Sequence, residues 1–476
     1  MIPPRSRPMV DRKLASLPAV VLAGMLACVA AALFVRPLGV TIADEVQYFT
    51  EAAAIGDGKP LTSPASYQLT HGEVPFVGPR YPVGWPALLA PFTRLPWPGL
   101  FFATVGLHLL GAWLFSILLA RRGLARRWAL LYLAQPTLLA FSRTLMAEPL
   151  AALQTVAIIL LADLESPFWL GLIAGVAPLV KLSQLLVVAP VAAMWLLRWP
   201  RGRRLRAWSR AIAGVLPGLA LCLVLNGHLY GRWQGLVYHS GYASSPTQAL
   251  GWLGLGLLQL SAAWPLLPLG ALFATAEELA GALAITLYLA VYGYHYRGPN
   301  LLATLVVGAR LHTPAIVLLL PGYARLLDRL SATLASATWR RQLIPGVLLA
   351  FSCIAPFVVY GRVSQRRQEL ETLRRATLAS LRPGCAVGYS LFALKVLLPE
   401  PPRLSLHSSA ELAPLDRLLR TGGCVDLIDP RSEPSTYRDP PVGPDEFSAL
   451  EARWQAVRAP GRDALPVIWL GGTPRR

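Results

Sequence analysis

Residues 97–127 read WPGLFFATVGLHLLGAWLFSILLARRGLARR. The run from Trp97 to Ala120 is almost wholly apolar, and it is long enough for a helix that crosses a bilayer, which needs about 20 residues. Four arginines follow within the next seven residues, and clusters of this kind keep a loop in the cytoplasm. This stretch therefore predicts a membrane-spanning helix whose carboxyl end lies on the cytoplasmic side.

The composition of the whole chain is also typical of a membrane protein. Of its 476 residues, 54% are hydrophobic and only 14% are charged, whereas a soluble globular domain carries roughly 25% charged residues. Charged side chains number 39 in residues 1–360 and 30 in residues 361–476. We therefore predict a transmembrane domain over residues 1–360 and a small soluble domain over residues 361–476. A single soluble enzyme, a disordered chain and a disulfide scaffold are excluded.

The formal net charge of +19 does not indicate nucleic-acid binding. Forty of the 44 cationic side chains are arginine, and many of them lie in short clusters between apolar runs, where they set the orientation of the helices. This pattern predicts that the chain interacts with the lipid bilayer and not with a nucleic acid.

Further apolar runs on both sides of residues 97–127 predict about eleven crossings in total. The first, Leu14–Val35, is too long for the core of a signal peptide, and residues 36–96 after it form a large outer loop. The runs that follow Trp97–Ala120 are Trp128–Phe141, Leu145–Ala162, Phe168–Val180, Leu182–Leu197, Ala211–Leu225, Trp252–Ala274, Leu279–Tyr294, Leu311–Leu326 and Leu343–Tyr360.

This count of crossings places the tail after residue 360 outside the cytoplasm. Arg362, Arg366 and Arg367 lie just past the last run and argue for the opposite side. Glu277 and Glu278 fall on the cytoplasmic side, where we expect them to be solvated.

The tail alternates strand-like and helical segments, which is the pattern of a small α/β domain. Its two cysteines, Cys385 and Cys424, could pair as a disulfide if the tail lies outside the cytoplasm, and the sequence leaves their pairing open. Its sequence has no glycine-rich phosphate loop and no Cys/His cluster with metal-ligand spacing. The predicted strands are Cys385–Tyr389, Arg403–His407, Cys424–Ile428 and Val467–Leu470, and the predicted helices are Arg366–Leu381, Glu411–Leu419 and Phe447–Val457.

Asp44 and Glu45 are adjacent carboxylates that follow the first apolar run. Charges are costly near a bilayer, and carboxylates there could take a proton from an acceptor hydroxyl or bind a divalent cation. The alternative is structural, with Asp44 as the N-terminal cap of a short helix that contains Tyr48. The residues alone leave both roles open.

Cations follow at the same predicted face of the membrane. Arg80 and Tyr81 belong to the rigid turn RYPVGWP of residues 80–86, where an arginine fork suits a phosphate, although the aromatic rings of such a turn also anchor a chain at the interface. Arg143 and Glu148 flank the start of a predicted helix, where they either contact a ligand or pair with each other.

Four further residues complete the candidate set. Lys181 lies near the outer end of its predicted helix, where a lysine also extends to the surface without a ligand. Arg310 lies near the start of the segment GARLHTP, residues 308–314, and either binds a phosphate or anchors the helix. His239 and Tyr242 belong to the second outer loop, where contact with a substrate and simple solvation both stay open.

The order of these pieces resembles the C-type glycosyltransferases (GT-C), integral-membrane enzymes that use polyprenyl-phosphate sugars. The likeness is to the branch with protein O-mannosyltransferases and lipid A aminoarabinose transferases, and it spans about residues 10–330. It is carried by ADE at 43–45, RYPVGWP at 80–86, RTLMAEP at 143–149, and the segments 171–181, 226–242 and 298–310.

The resemblance implies an all-α polytopic membrane domain that moves a sugar, with inversion, from a polyprenyl-phosphate donor to a lipid, glycan or protein acceptor of the cell envelope. The active site would face the outside of the inner (plasma) membrane. The resemblance assigns no certain cofactor and leaves a divalent metal open. Asp44, with Glu45 beside it, would act on the acceptor as general base, and the residues around the donor phosphate would be Arg80, Tyr81, Arg143, Glu148, Lys181 and Arg310.

Two other functions fit the same composition. A secondary transporter or flippase has a similar number of helices, but it places charges near the bilayer midplane and often shows repeated halves, and we find neither feature in this sequence. A non-catalytic scaffold with the same fold would bind polyprenyl lipids without turnover. It would tolerate Asp44→Asn, whereas the enzyme would lose turnover.

Overall fold

The computed structural model describes a predominantly helical chain. The described residues are 17–36, 40–58, 68–69, 72–73, 81–230, 244–292, 301–333, 338–389, 404–405, 412–428, 444–458 and 467–474. Helices α1–α16, in chain order, are Ala19–Phe34, Ala43–Gly56, Gly84–Leu89, Trp97–Leu100, Phe102–Arg121, Leu130–Leu133, Pro136–Phe141, Glu148–Asp163, Pro167–Val180, Leu185–Leu197, Arg201–Tyr230, Pro246–Ala263, Ala276–Val291, Leu301–Val306, Thr313–Thr333 and Thr338–Ala379. Short 3₁₀ helices lie at Ala90–Phe92, Arg126–Ala129, Leu182–Gln184, Leu267–Phe273 and Gly308–His312.

The long helices run between two polar ends of one bundle. α5 begins at Phe102, whose ring lies 5.5 Å from the Arg143 guanidinium, and it has 20 residues, which corresponds to about 30 Å. The residue after it, Arg122, pairs with Asp163 at the end of α8. We call the end of the bundle that contains Asp44 and Arg143 the Asp44 end, and the end that contains Arg122 and Asp163 the Arg122 end.

Several of these helices could cross a membrane. Within the described part of the chain, four are long and apolar enough, and a bent pair of helices adds a fifth if it forms one span. The protein is therefore a multi-pass membrane protein, and the count of about eleven crossings stays a prediction. The four are Phe102–Arg121, Arg201–Leu229, Thr304–Thr333 and Leu343–Ala379, the bent pair is Pro246–Ala262 with Leu267–Phe273, and shorter apolar helices are Ala19–Phe34, Pro167–Val180 and Leu182–Leu197.

The prediction of one helix over residues 128–141 is wrong. The segment is divided into a 3₁₀ turn, α6 and α7. The break falls before Pro136, because proline has no N–H to donate to the carbonyl of the preceding turn. Gln135 then caps α7, with its side-chain oxygen 2.5 Å from the backbone nitrogen of Leu138.

Two helices are longer than the apolar runs that predicted them. α11 begins at Arg201, inside an arginine cluster, rather than at Ala211. α16 joins the predicted helices Leu343–Tyr360 and Arg366–Leu381 into one of 42 residues. Hydropathy marks only the lipid-facing part of a helix, so its polar continuation is missed. The predicted domain boundary at residue 360 falls inside α16, and the division of the chain there stays a prediction.

α9 and α11 pack with their backbones in contact. Gly171 and Gly175 on α9 face Gly214 and Gly218 on α11, and a Cβ atom at any of the four positions would overlap backbone atoms of the other helix. Small residues four apart permit this close approach between membrane helices. The glycines of the segment 171–181 therefore have a packing role.

Buried ion pairs join several helices at the Arg122 end. Arg122 donates to both carboxylate oxygens of Asp163, at 2.5 and 3.2 Å, and it also contacts Glu278. Glu277 pairs with Arg198. Both glutamates are buried, so the expectation that they are solvated is wrong. The arginines supply the opposite charge that a buried carboxylate requires.

After α16 the tail forms a mixed sheet with two helices. Its strand order is β4-β3-β5-β7-β6, with β3 parallel to β4 and β5, and β7 antiparallel to β5 and β6. β1 and β2 are a separate antiparallel pair near the start of the chain. The strands β1–β7 are Gln68–Leu69, Gly72–Glu73, Ala386–Tyr389, Leu404–Ser405, Cys424–Ile428, Trp454–Arg458 and Val467–Pro474, and the helices α17 and α18 are Leu412–Arg420 and Pro444–Arg453.

The alternation of helices and strands in the tail is as predicted, with one exception. Residues 454–457, predicted to continue a helix, form β6 because pairing with β7 takes precedence over the local pattern. The Trp454 indole is buried there and donates to Asp416 on α17 at 2.8 Å. Cys385 and Cys424 form a disulfide between the starts of β3 and β5, as the sequence allowed.

An apolar cluster attaches the tail to the Asp44 end of the bundle. It contains Tyr48 of α2 and Trp85 of α3 together with Leu370 of α16, Ile428 of β5 and Val467 of β7. Since these side chains belong to one buried cluster, α16 and the sheet pack against the part of the molecule that carries Asp44.

Candidate active site

Asp44, Tyr81 and Arg310 meet, although they are far apart in the sequence. Asp44 lies in the first turn of α2, Tyr81 lies just before α3, and Arg310 lies in the 3₁₀ turn that leads into α15. The Tyr81 hydroxyl donates to Oδ1 of Asp44 at 2.7 Å, and Nη1 of Arg310 lies 3.2 Å from Oδ2. The side chains of Arg310 and Asp44 are 12% and 15% exposed. The result is a carboxylate that is held from both sides and still reached by solvent.

Tyr48 fixes the ring of Tyr81. It lies one turn after Asp44 on the same face of α2, as residues i and i+4 of a helix do. The two tyrosine rings are 4.5 Å apart between centroids and tilted by 31°, a separation that aromatic pairs favour. Because Tyr48 is buried, it forms a rigid wall that orients the Tyr81 hydroxyl toward Asp44.

Glu45 has a different environment from its neighbour Asp44. It is 0% exposed, and its Oε2 accepts from the backbone nitrogens of Thr41 and Ile42 and from the Thr41 hydroxyl at 2.7, 3.0 and 2.9 Å. Its Oε1 accepts from the backbone nitrogen of Leu145 at 2.7 Å. Glu45, and not Asp44, therefore satisfies the donors at the start of α2, and it also attaches α2 to the segment before α8.

Arg143 stabilises the carboxyl end of α1. Its Nη2 donates to the carbonyl oxygen of Ala32 at 2.6 Å and to that of Val35, where the helix dipole favours a cation. The guanidinium is buried against aromatic rings, and its Cζ atom lies 5.7 Å from the centre of the Tyr360 ring. These contacts show that Arg143 holds α1 against the helices of the Asp44 end.

Glu148 pairs with Lys181 and not with Arg143. Lys181 Nζ lies 2.9 Å from Oε1 of Glu148, and the side chains are 24% and 2% exposed. Glu148 begins α8, whose N-terminus favours an anion, and Lys181 directly follows the last residue of α9. The pair therefore presents a partly exposed cation on a buried carboxylate.

The start of α3 connects the Asp44, Tyr81 and Arg310 group with the pair of Glu148 and Lys181. Gly84 packs so closely on α9 that a Cβ atom there would lie 2.5 Å from the carbonyl oxygen of Leu179, two residues before Lys181. Trp85 donates to the carbonyl oxygen of Leu145 at 2.7 Å, three residues before Glu148. The turn that positions Tyr81 is thus fixed against the helices that carry Glu148 and Lys181.

Three of the candidate residues lie outside the described residues. They are Arg80, the first residue of the predicted turn RYPVGWP, and His239 and Tyr242 in the second predicted outer loop. Their assignments stay predictions.

Sequence reasoning missed two residues that pack against this site from α16. Arg367 donates to the carbonyl oxygen of Arg143 at 2.7 Å and lies 3.6 Å from Oε1 of Glu45. The Tyr360 hydroxyl lies 2.8 Å from that of Ser142. Both face the core seven residues apart on one helix, which a helical spacing could have revealed, but the predicted break at residue 360 hid it.

The described residues do not fit a divalent-metal site. Among them, no group of three or more His, Cys, Asp and Glu side chains could hold a metal ion. The adjacent carboxylates do not converge, because both oxygens of Glu45 are occupied by donors of the protein.

Comparison with known proteins identifies the fold. No protein-family model matches the sequence, and no curated protein matches it. The crystal structure of apo ArnT from Cupriavidus metallidurans superposes with a TM-score of 0.58 at 14% identity, covering 96% of this chain and 99% of that chain. ArnT bound to undecaprenyl phosphate gives 0.55 at 13% identity, covering 96% and 98%. The arabinofuranosyltransferase AftD from Mycobacteria gives 0.47 at 15% identity, covering 98% of this chain and 40% of that chain.

The chain has the fold of ArnT. The match to the ArnT structures covers nearly the full length of both chains, including the tail. The resemblance to the lipid A aminoarabinose transferases, drawn from the sequence motifs, is thereby confirmed at the level of the fold.

Proposed function

We propose that the protein is a membrane glycosyltransferase that moves a sugar from a polyprenyl-phosphate donor to a hydroxyl of an envelope lipid, glycan or protein. The observation that carries the proposal is the meeting of Asp44, Tyr81 and Arg310 at one partly open position. A fold shared with ArnT, one structure of which holds undecaprenyl phosphate, supports a lipid-linked phosphate as the donor.

Asp44 is the general base in this proposal. It takes the proton of the acceptor hydroxyl while the acceptor oxygen attacks the anomeric carbon, and the bond from that carbon to the phosphate oxygen breaks. In the structure Arg310 pairs with the carboxylate of Asp44, so Arg310 and an acceptor hydroxyl compete for the same oxygens. A donor phosphate that attracts Arg310 would weaken this pair, so binding of the donor would activate the base.

The leaving phosphate departs with the electron pair of the broken bond and carries the developing negative charge. Fixed cations stabilise such a charge in a partly desolvated site. Arg310 and Lys181 are the partly exposed cations that we assign to it, together with Arg80 from outside the described residues. Tyr81 donates its single hydroxyl proton to Asp44 before the donor binds, and it can donate that proton to the ester oxygen instead when the donor is present. Arg143 and Glu45, which are buried and already engaged, hold these groups in place.

The experiment is an assay of donor turnover. Purified protein in nanodiscs is incubated with a panel of radiolabelled polyprenyl-phosphate sugars, and release of the sugar is compared for wild type, Asp44→Asn and Asp57→Asn. Asp57 caps the other end of α2 and is exposed, so its variant is a matched control. We expect Asp44→Asn to lower turnover at least 100-fold, as loss of a general base does at the level of roughly 10²–10⁴, and Asp57→Asn to keep it.

The other outcomes separate the rival functions. Equal turnover by wild type and Asp44→Asn would contradict the role of Asp44. Binding of the donor without any release would favour the non-catalytic scaffold. Movement of an intact lipid-linked substrate across the bilayer of vesicles, with the glycosidic bond kept, would favour the flippase.

A further inference from the structure

Arg367 is a buried cation on the helix that leads into the tail. It is 3% exposed, in contrast to its neighbour Arg366, whose side chain is 53% exposed and pairs with Glu369 on the same helix. The Arg367 guanidinium lies 4.1 Å from the centre of the Phe101 ring, and a cation over an aromatic face is favourable. Burial of an arginine is costly unless its charge is compensated, so its partners indicate its role.

The partners of Arg367 lie on both segments that meet next to Asp44. Its Nη2 donates to the backbone carbonyl of Arg143, in the segment before α8, and lies 3.6 Å from Oε1 of Glu45, in the first turn of α2. The same Oε1 accepts from the backbone nitrogen of Leu145. Arg367, Glu45 and the backbone of residues 143–145 therefore form one closed group of contacts between α16, α2 and the start of α8.

The charge balance of this group makes Glu45 dependent on Arg367. Arg143 donates to carbonyl groups of α1, and in the described part of the chain Arg367 is the cation paired with Glu45. Without Arg367 a carboxylate that is fully buried would lose its counter-charge. It would then draw in water or move away from its present donors, and either change weakens the contacts that fix the first turn of α2.

We propose that Arg367 is a positioning residue for Asp44. It acts through Glu45, which keeps the first turn of α2 in place, so that the carboxylate of Asp44 stays within reach of Tyr81 and Arg310. The inference rests on the proposed function, since it concerns the geometry of the same base. Because α16 continues into the sheet, this contact also makes the position of the tail a determinant of the geometry at Asp44.

The test compares the adjacent arginines. Arg367→Gln removes the buried cation, and Arg366→Gln removes the exposed one at the next position. For Arg367→Gln we expect kcat to fall roughly 10- to 100-fold, as a displacement of about 1 Å of a reacting group does, with KM for the donor unchanged because Arg310 and Lys181 are retained. Arg366→Gln keeps both constants. Arg367→Lys keeps the positive charge, and we expect it to give a kcat between those of wild type and Arg367→Gln. It replaces Arg367→Gln in this comparison if Arg367→Gln does not fold.

Hydrogen exchange measured by mass spectrometry gives a second readout that needs no turnover. We expect faster exchange of the amides of residues 41–48 in Arg367→Gln than in Arg366→Gln, with exchange at the Arg122 end unchanged. A double-mutant cycle with Glu45→Gln should show that the two losses of kcat are not additive. Equal kcat and equal exchange in the Arg367 and Arg366 variants would overturn the inference.

The two proposals fail in different ways. Absence of turnover by the wild type would contradict the proposed function, and the exchange data would still decide whether Arg367 holds α2. Normal turnover by Arg367→Gln would contradict the positioning role and leave the assignment of Asp44 intact.

Discussion

At the scale of single residues, the direction of a side chain decides its role. Asp44 and Glu45 are adjacent, but successive residues of a helix point about 100° apart. Asp44 therefore faces Tyr81 and Arg310 at a partly open position, whereas Glu45 is buried among backbone donors. The sequence shows two carboxylates at one place, and only the packing of α2 distinguishes the base from the structural residue.

The pair of Lys181 and Glu148 permits a prediction of the same kind. Lys181→Met leaves the Glu148 carboxylate buried without its counter-charge, so we expect a loss of stability of about 3 kcal/mol, as for other broken buried pairs. Glu148→Gln leaves a lysine that is already 24% exposed and can reach solvent, so its loss should be smaller. Thermal unfolding in detergent, followed by tryptophan fluorescence, measures both. Equal losses would show that the pair is solvated on both sides.

At the scale of elements, close packing explains glycines that hydropathy does not. In Gly214→Ala the added Cβ atom would lie 1.9 Å from the carbonyl oxygen of Phe168 in α9. Since the two atoms would overlap, α9 and α11 must separate. Gly202→Ala lies on the same helix with nothing within 4 Å of the new atom, and alanine favours a helix over glycine by about 1 kcal/mol. We expect the first variant to lower the unfolding temperature markedly and the second to keep or raise it. A similar effect of both would contradict the packing of these helices.

Much of the fold and part of the site could be predicted from the sequence. The helices were predicted from hydropathy, and the site residues from the order of the motifs. Apolar runs gave both ends of α9 and the carboxyl end of α5 within one residue, since the bilayer imposes one length and one polarity. The start of α5 at Phe102 lies five residues after the predicted Trp97, because Trp97–Leu100 forms a separate short helix. The order of motifs placed Asp44, Tyr81 and Arg310 in one candidate site. Contacts over more than 100 residues, such as Arg367 with Glu45, have no local signal, because neither partner shows a pattern until the helices are packed.

At the scale of the whole molecule, the tail packs against the end of the bundle that carries Asp44, so we expect both on the same side of the membrane. α16 passes the Asp44 end, where Tyr360 contacts Ser142 and Arg367 contacts the backbone of Arg143, and it then enters the sheet. The orientation of the bundle therefore decides both locations at once. Arg367, which argued from the sequence for a cytoplasmic tail, is buried in an ion pair and is no loop charge.

The arginine distribution predicts which side this is. The arginine clusters at the end of α5 and at the start of α11 lie at the Arg122 end. The positive-inside rule places that end in the cytoplasm, so Asp44 and the tail should face outward. Labelling of single-cysteine variants with a membrane-impermeant maleimide tests this orientation. The variants are Arg375→Cys, at a side chain on α16 that is 76% exposed, and Leu164→Cys, beside Asp163. In right-side-out vesicles we expect labelling of Arg375→Cys and none of Leu164→Cys, with the reverse in inverted vesicles. Wild type supplies the background, since Cys28 and Cys222 are buried and Cys385 is paired with Cys424. Cys353, which is partly exposed, lies in the apolar part of α16, and any labelling of it is subtracted with the wild-type signal. The opposite labelling would place the reaction in the cytoplasm, and labelling of both cysteines from one side would contradict the separation of the two ends.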